Sequence, residues 1–314
     1  MDTFRLTYPQ QLNKSEFQET VAAIGFFDGI HRGHQKVIKQ AIEIANEQGK
    51  KSAVVTFYPH PSVVLKKKDM RVDYLTPLTE KENLLNEMGI DTLYVITFNT
   101  ELSKLEPQSF IDHYIIGLNI KHLVAGFDFS YGYKGEGSMD TIEKHARGVF
   151  EYTVVKPKKE ENNQKISSTL IREHLRNGNI EQANKLLGRP LSARGIVVEG
   201  DKRGRTIGFP TANIEVTDPF LLPKVGVYAV TVKLQGKRFA GMANLGYKPT
   251  FKENIKKPSI EVHIFDYKKD IYGKELIVEW HKYIRNELKF NGIDELVNQI
   301  KLDEQEIRTF LKTI

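Results

Sequence analysis

Residues 21–45 spell out a strand, a glycine-broken turn and a helix, and that unit dictates much of what can surround it. Residues 21–24 are an unbroken apolar run. Gly25-Phe26-Phe27-Asp28-Gly29-Ile30-His31-Arg32-Gly33-His34 follows at once. Val37, Ile38, Ala41, Ile42 and Ala45 then recur at helical spacing. A helix N-terminus carries unpaired N–H groups and the positive end of the helix dipole, so it favours phosphate. Two imidazoles, His31 and His34, stand one turn apart at that spot. They point to charge stabilisation on a phosphoryl group in transfer.

The first half keeps alternating. Strands are predicted at 21–24, 53–57, 92–96, 122–125 and 152–155, with helices at 35–48, 81–88, 107–116 and 139–146. This order implies an α/β fold with a Rossmann-like, doubly wound parallel sheet. Ligands in such sheets bind at the carboxyl ends of the strands, where the glycine turn lies. With 314 residues there is room for a second domain. Gly188-Arg189-Pro190 breaks a helical stretch, which divides the chain into 1–187 and 188–314. Beyond it the period becomes two. Tyr228, Val230, Val232 and Leu234 share one face, and so do Ile260, Val262 and Ile264, leaving Glu261 and His263 opposite. A small antiparallel β-barrel is expected, followed by a helix carrying Leu296, Val297, Ile300, Ile307, Phe310 and Leu311.

The chain has no cysteine, which excludes disulfides, thiolate nucleophiles and cysteine-ligated zinc and fits a reducing cytoplasm. Neither a secretory signal nor an apolar run of about 18 residues is visible, so no membrane association is expected. The net charge of +6, from 46 basic and 40 acidic residues, suits anionic nucleotide substrates. No arginine-rich arm accompanies it, so no nucleic acid partner is expected.

Further motifs follow the other strands. Asp28 either ties the turn by local hydrogen bonds or helps position a metal. Thr56-Phe57-Tyr58-Pro59-His60-Pro61 is a proline-stiffened turn in which His60 lines a ligand wall. In Gly126-Phe127-Asp128-Phe129-Ser130-Tyr131-Gly132, Asp128 is placed to contact ligand, and the aromatics either stack on a flat ring or pack in the core. The polar run 158–165 reads as a solvated, mobile loop. Ser167, Ser168 and Thr169 cap the next helix and, with Arg172, form a second anion cradle. In the second half, Gly195 to Gly200 leads to Gly204-Arg205-Thr206-Ile207-Gly208-Phe209-Pro210-Thr211-Ala212-Asn213, which lacks the Gly-Lys-Ser/Thr ending of a P-loop. Thr211 and Asn213 offer oxygens suited to magnesium on nucleotide phosphates, or else a hydrogen-bonded turn. Glu261 either faces solvent or accepts the proton of an attacking hydroxyl. Residues 244–251 read as a tight loop beside the pocket.

These motifs together resemble the bacterial bifunctional riboflavin kinase/FMN adenylyltransferase (FAD synthetase) family over nearly the whole chain. The resemblance implies two reactions. The C-terminal module moves the ATP γ-phosphate to riboflavin, giving FMN, and the N-terminal module joins FMN to the α-phosphorus of ATP, giving FAD and pyrophosphate. It implies an ATP site at Gly25, Phe27, Asp28, Gly29, His31, Gly33 and His34, with Ser167, Ser168, Thr169 and Arg172 as second clamp. His60, Asp128 and Phe129 would then face the flavin nucleotide. In the kinase half it implies ATP contacts from Gly204, Arg205, Gly208, Pro210 and Thr211, and flavin contacts from Asn244 and Gly246. Thr211 and Asn213 would hold Mg2+, and Glu261 would be the catalytic base beside the catalytic pair His31 and His34. The partners implied are the small molecules riboflavin, FMN and ATP, with room for weak self-association. Two positions depart from the family pattern. Phe26 stands where a small polar residue is common, and Ser130-Tyr131-Gly132 replaces an Arg-Phe-Gly form. Neither change removes a phosphate-handling group.

Overall fold

The computed structural model describes residues 1–65, 73–159, 164–200, 203–249 and 256–314. The chain forms two compact units, Met1–Ser168 and Thr169–Ile314.

The first unit is built on a parallel sheet. Its strands are β1 (Asp2–Thr7), β2 (Thr20–Ile24), β3 (Lys51–Tyr58), β4 (Thr92–Thr97), β5 (Ile120–Gly126) and, after a small hairpin of β6 (Ser130–Tyr131) and β7 (Gly137–Ser138), β8 (Glu151–Val155). The order across the sheet is β1-β4-β3-β2-β5-β8. Helices α1 (Arg32–Glu47), α2 (Pro61–Leu65), α3 (Leu78–Glu87), α4 (Pro107–Phe110) and α5 (Ile142–Ala146) connect the strands, α4 continuing as a π-helical stretch, Ile111–Ile116. All five predicted strands are present. The sixth, β1, lacks a sequence signal because it is an edge strand with five of six residues exposed.

β2 is buried on both faces, which is why it reads as a continuous apolar run. Val21 and Ala23 pack under α1 with Val37, Ile38, Ala41, Ile44 and Ala45. Ala22 and Ile24 join the core on the opposite face, with Ile111, Tyr114 and Ile115. The turn after β2 is therefore held between two apolar layers.

The second unit begins with α6 (Ser168–Asn177, its first residue belonging to the first unit) and α7 (Ile180–Leu187). A closed antiparallel barrel follows, ordered β10-β13-β12-β11-β14-β9. Its strands are β9 (Leu191–Val198), β10 (Ala212–Val216), β11 (Gly226–Leu234), β12 (Lys237–Pro249), β13 (Lys256–Ile264) and β14 (Glu275–Arg285), with a short α8 (Arg203–Thr206) before β10. As expected from the period of two, Tyr228, Val230, Val232, Ile260 and Val262 fill the interior. α9 (Ile293–Leu311) closes one side, its Ile300, Ile307 and Phe310 packing on Val227, Ala229 and Met242.

Residues 244–249 are not a tight loop but the end of β12, paired with β13 out to Pro249. Glycine and proline made the stretch resemble a turn. A Cβ on Gly246 would come within 2.7 Å of Glu287 Oε1, the end of a flexible side chain. Residues 250 and 251 of that predicted loop, and 160–163 of the predicted mobile loop, lie outside the described residues.

Candidate active sites

At the first site Gly25 N–H still belongs to the sheet, donating to Val55 O at 3.1 Å. The chain then turns through Phe27 (φ 48°), Gly29 (φ 94°) and Ile30 (φ 36°). Left-handed backbone costs a non-glycine residue ~1 kcal/mol or more. Phe27 and Ile30 offset that cost by burying their side chains, at 3% and 1% exposure.

His31 caps α1 with its own ring. Its Nδ1 accepts from His34 N–H at 3.2 Å, so the neutral ring carries its proton on Nε2. The rings of His31 and His34 stack at 3.6 Å and 19°, and Phe27 meets His34 edge-on. Burial, followed by the charges of His31, Lys81 and Lys165, holds the His34 pKa well below the usual histidine value. His34 Nδ1 is buried without a hydrogen-bond partner among the described residues. The turn thus presents a neutral imidazole in a positive environment. An incoming polyphosphate would stabilise the protonated ring and turn it into a charged donor.

Asp28 has a structural task. Its carboxylate accepts from Thr76 N–H at 3.0 Å, and its carbonyl accepts from Ser168 Oγ at 2.7 Å. The latter bond brings the serine segment onto the glycine turn. Gly33 faces the same segment, since a Cβ there would lie 3.7 Å from Ile166 O. Ser167 is half-buried beside Ser168. Thr169, exposed, and Arg172, half-buried, belong to the second unit, so the four predicted clamp residues are divided between the two units.

His60 lies against Phe26 with ring centroids 5.2 Å apart, and its Nδ1 is shared with Ser62 Oγ at 2.8 Å. Asp128 is ion-paired with Lys165 at 2.6 Å. Phe129 packs against the core, whereas Phe127 is 45% exposed beneath the Lys165 ammonium. Phe127 is thus the more exposed of the two rings. Two cations beside the turn carry no sequence signal. Lys165 was hidden in a run of mixed charge, and Lys81 in an ordinary helix.

In the second unit the residues converge through strand register. Asn213 on β10 pairs with Glu261 on β13, and Glu261 pairs with Asn244 on β12. Directly opposed residues of antiparallel strands share a face, so the three side chains form a row. Asn244 and Glu261 border a cavity of about 370 Å³, with Gly204, Phe209, Thr211 and His263 in the same wall. Arg285, Asp303 and Leu296 also line it. A second hollow, of about 70 Å³, is lined by Arg205, Pro210, Thr211 and Tyr272. Thr211 stands in the wall of both.

The glycines here leave room for specific atoms. A Cβ on Gly200 would lie 2.0 Å from Asn213 Nδ2, and one on Gly204 would lie 2.2 Å from Phe209 O. Gly208 has φ 88°. His263 Nδ1 donates to Pro210 O at 2.7 Å and fixes the start of the Pro-Thr-Ala-Asn segment. Arg285 clamps the buried Asp303 of α9 through Nε and a terminal nitrogen, and Gln299 adds a third donor group. These supports come from β14 and α9, where no motif marked them.

Known proteins fit this division. Residues 13–170 match the FAD synthetase family and residues 187–311 match the riboflavin kinase family. A bifunctional riboflavin kinase/FMN adenylyltransferase of Listeria monocytogenes is 49% identical, with 99% of this chain and 98% of that one covered. A protein of the same description from Bacillus subtilis is 50% identical over the same shares. A crystal structure described as a macrolide-efflux protein from Streptococcus pneumoniae superposes with a TM-score of 0.88 at 35% identity, covering 98% of this chain and 99% of that one. Among the described residues no helix is long and apolar enough to cross a membrane.

Proposed function

The chain belongs to the bifunctional riboflavin kinase/FMN adenylyltransferase family, and from that premise we propose which residues carry each of its two reactions. Riboflavin is phosphorylated to FMN, and FMN is adenylylated to FAD. We assign the second reaction to residues 1–187 and the first to residues 188–314.

For phosphorylation, riboflavin takes the larger cavity, between barrel and α9, and the nucleotide lies on the side of the smaller hollow. Thr211, shared by both walls, stands where the phosphoryl group passes. Glu261 accepts the proton of the attacking hydroxyl, a task worth ~10²–10⁴ in rate. Asn244 and Gly246 flank the flavin, and Gly204, Arg205, Gly208 and Pro210 the ATP. Among the described residues no cluster of three His, Cys, Asp or Glu side chains offers a resident metal centre. The hard oxygens of Thr211 and Asn213 fit Mg2+ that arrives with nucleotide phosphates. Thr211 and Asn213 would hold that ion, which supplies charge neutralisation on the phosphates.

For adenylyl transfer, the turn at Gly25, Phe27, Gly29 and Gly33 cradles ATP, and His31 and His34 stabilise charge on the phosphates. Asp28 acts by holding the turn rather than by touching ligand. Ser167 and Ser168 add to the clamp from the same unit, and His60, Asp128 and Phe127 border the flavin. Both reactions are displacements at phosphorus, so positioning and charge dominate. The lack of cysteine fits a reducing compartment, and we place the enzyme in the cytoplasm.

The observation that carries this reading is the strand register that sets Glu261 beside both Asn213 and Asn244, residues far apart in sequence, with Glu261 and Asn244 facing one cavity. The test is reciprocal, with riboflavin, FMN and FAD separated by chromatography. Glu261→Ala should stop FMN formation and leave FMN-to-FAD conversion intact. His34→Ala should do the reverse, with a loss of ~10²–10³. If either change abolishes both steps in a folded protein, the assignment to separate sites is wrong.

A further inference from the structure

Lys81 is a buried cation with no carboxylate in hydrogen-bond contact, Asp28 acting on it only through space. Its residue is 4% exposed on α3, at the carboxyl edge of the parallel sheet. The ammonium donates to Phe26 O at 2.7 Å and to Thr56 Oγ1 at 3.1 Å. Among the described residues these are its hydrogen-bond partners, and it forms no ion pair. Phe26 O is already served by another donor, the Thr56 hydroxyl, at 3.1 Å. A neutral donor would anchor the turn as well, without the penalty of burying a charge. The charge itself therefore needs a reason.

The reason lies in front of it. Phe26 is the second residue of the turn that precedes α1. The one acid in that turn, Asp28, accepts from Thr76 N–H and favours the charged ammonium through space. Lys81 stands behind the turn and the α1 N-terminus beside it, while Lys165, which also acts on His34, is paired with Asp128.

We propose that Lys81 is a positioning residue for adenylyl transfer: it locks the Phe26 carbonyl and holds a desolvated positive charge behind the turn for the polyphosphate of ATP. This rests on the assignment of the turn to the ATP site. Burial lowers the ammonium pKa to about 8, against the pull of Asp28. The charged and titratable groups that face it are Asp28 in the turn and His34 on α1. An anion bound at the turn favours the protonated ammonium, so ATP and the proton bind cooperatively.

The test is Lys81→Met in the full chain, followed by steady-state kinetics of both reactions. The KM for ATP in FMN adenylylation should rise about tenfold or more, with the KM for FMN nearly unchanged. Riboflavin phosphorylation should stay within about twofold. A merely structural lysine would lower the amount of active enzyme and leave both KM values alone. An ATP KM within about threefold of the parent overturns the proposal. His34→Ala serves as the control. If it too keeps adenylylation, the ATP site itself is misassigned; if it alone loses activity, only the role of Lys81 fails. Should Lys81→Met not fold, the wild-type protein answers. The 13Cε resonance of Lys81 should titrate at higher pH when a non-hydrolysable ATP analogue is bound, and an unchanged midpoint refutes the idea.

Discussion

Gly200→Ala should disable riboflavin phosphorylation without unfolding the barrel. The added Cβ would stand 2.0 Å from Asn213 Nδ2, 2.5 Å from its Cγ and 2.8 Å from its Oδ1. Ordinary contact begins near 3.5 Å, so about 1.5 Å of clearance has to be found. The obstruction is the end of a side chain, not backbone, and Asn213 can clear it by rotating. Gly200 is not among the residues with left-handed φ, so alanine suits its backbone. Alanine also reduces the entropy of the unfolded chain, and the net change in stability is expected within about 1 kcal/mol. Catalysis should be less forgiving. Moving a ligating oxygen by about 1 Å costs on the order of 10² in rate. Initial rates of FMN formation, followed by flavin chromatography across magnesium concentrations, should fall by that factor. FMN-to-FAD conversion and the thermal midpoint should hold. Asn213→Ala should be no worse when Gly200→Ala is added, because the two act through one atom. A Gly200→Ala enzyme that phosphorylates riboflavin within about threefold of the parent would show that the place of Asn213 is immaterial.

Other expectations follow from the same geometry. His34 is held neutral in the fold, so the unfolded chain binds the extra proton below the ordinary histidine pKa of about 6.5. Its contribution to stability is full above that pH and fades as pH falls, by at most ~1.4 kcal/mol per pH unit. Urea unfolding of His34→Gln should lack that slope, and a parent whose stability is flat from neutrality to pH 5 would contradict a neutral His34. Arg285→Ala strips the guanidinium from Asp303, which is 3% exposed, and should cost the barrel unit about 3–5 kcal/mol in chemical unfolding. A loss below 1 kcal/mol would mean that water already serves the acid. The two neighbouring phenylalanines should separate cleanly. Phe127→Ala is expected to raise the KM for FMN about threefold to tenfold with little change in stability, and Phe129→Ala to lower stability by about 2–3 kcal/mol. The reverse pattern would restore Phe129 as the flavin contact.

The sequence makes the phosphate turn legible because its devices are local: a buried strand, glycines, and two histidines one turn apart. The barrel interior is equally readable, since alternation at 228–234 and 260–264 follows from the pleat itself. What it hides is supplied from a distance. Glu261 stands out as a lone acid on an apolar strand, but that its neighbours are Asn213 and Asn244 depends on register between strands, which no local pattern encodes. The end of β12 looks like a turn because glycine and proline carry the same letters at a strand edge. Lys81 looks like any surface lysine of an amphipathic helix, and only burial marks it as different.

Phe27 and Ile30 hold unusual backbone angles that their buried side chains fix in place. The Phe27 ring and the Ile30 side chain are plugged into the layer under α1, so leaving this conformation would expose buried apolar surface. The disorder that a flexible phosphate loop would surrender on meeting its nucleotide has already been given up during folding, and binding is spared that loss. Loosening either plug, for example by Ile30→Ala, would leave every polar group of the loop in the chain yet weaken its hold on ATP.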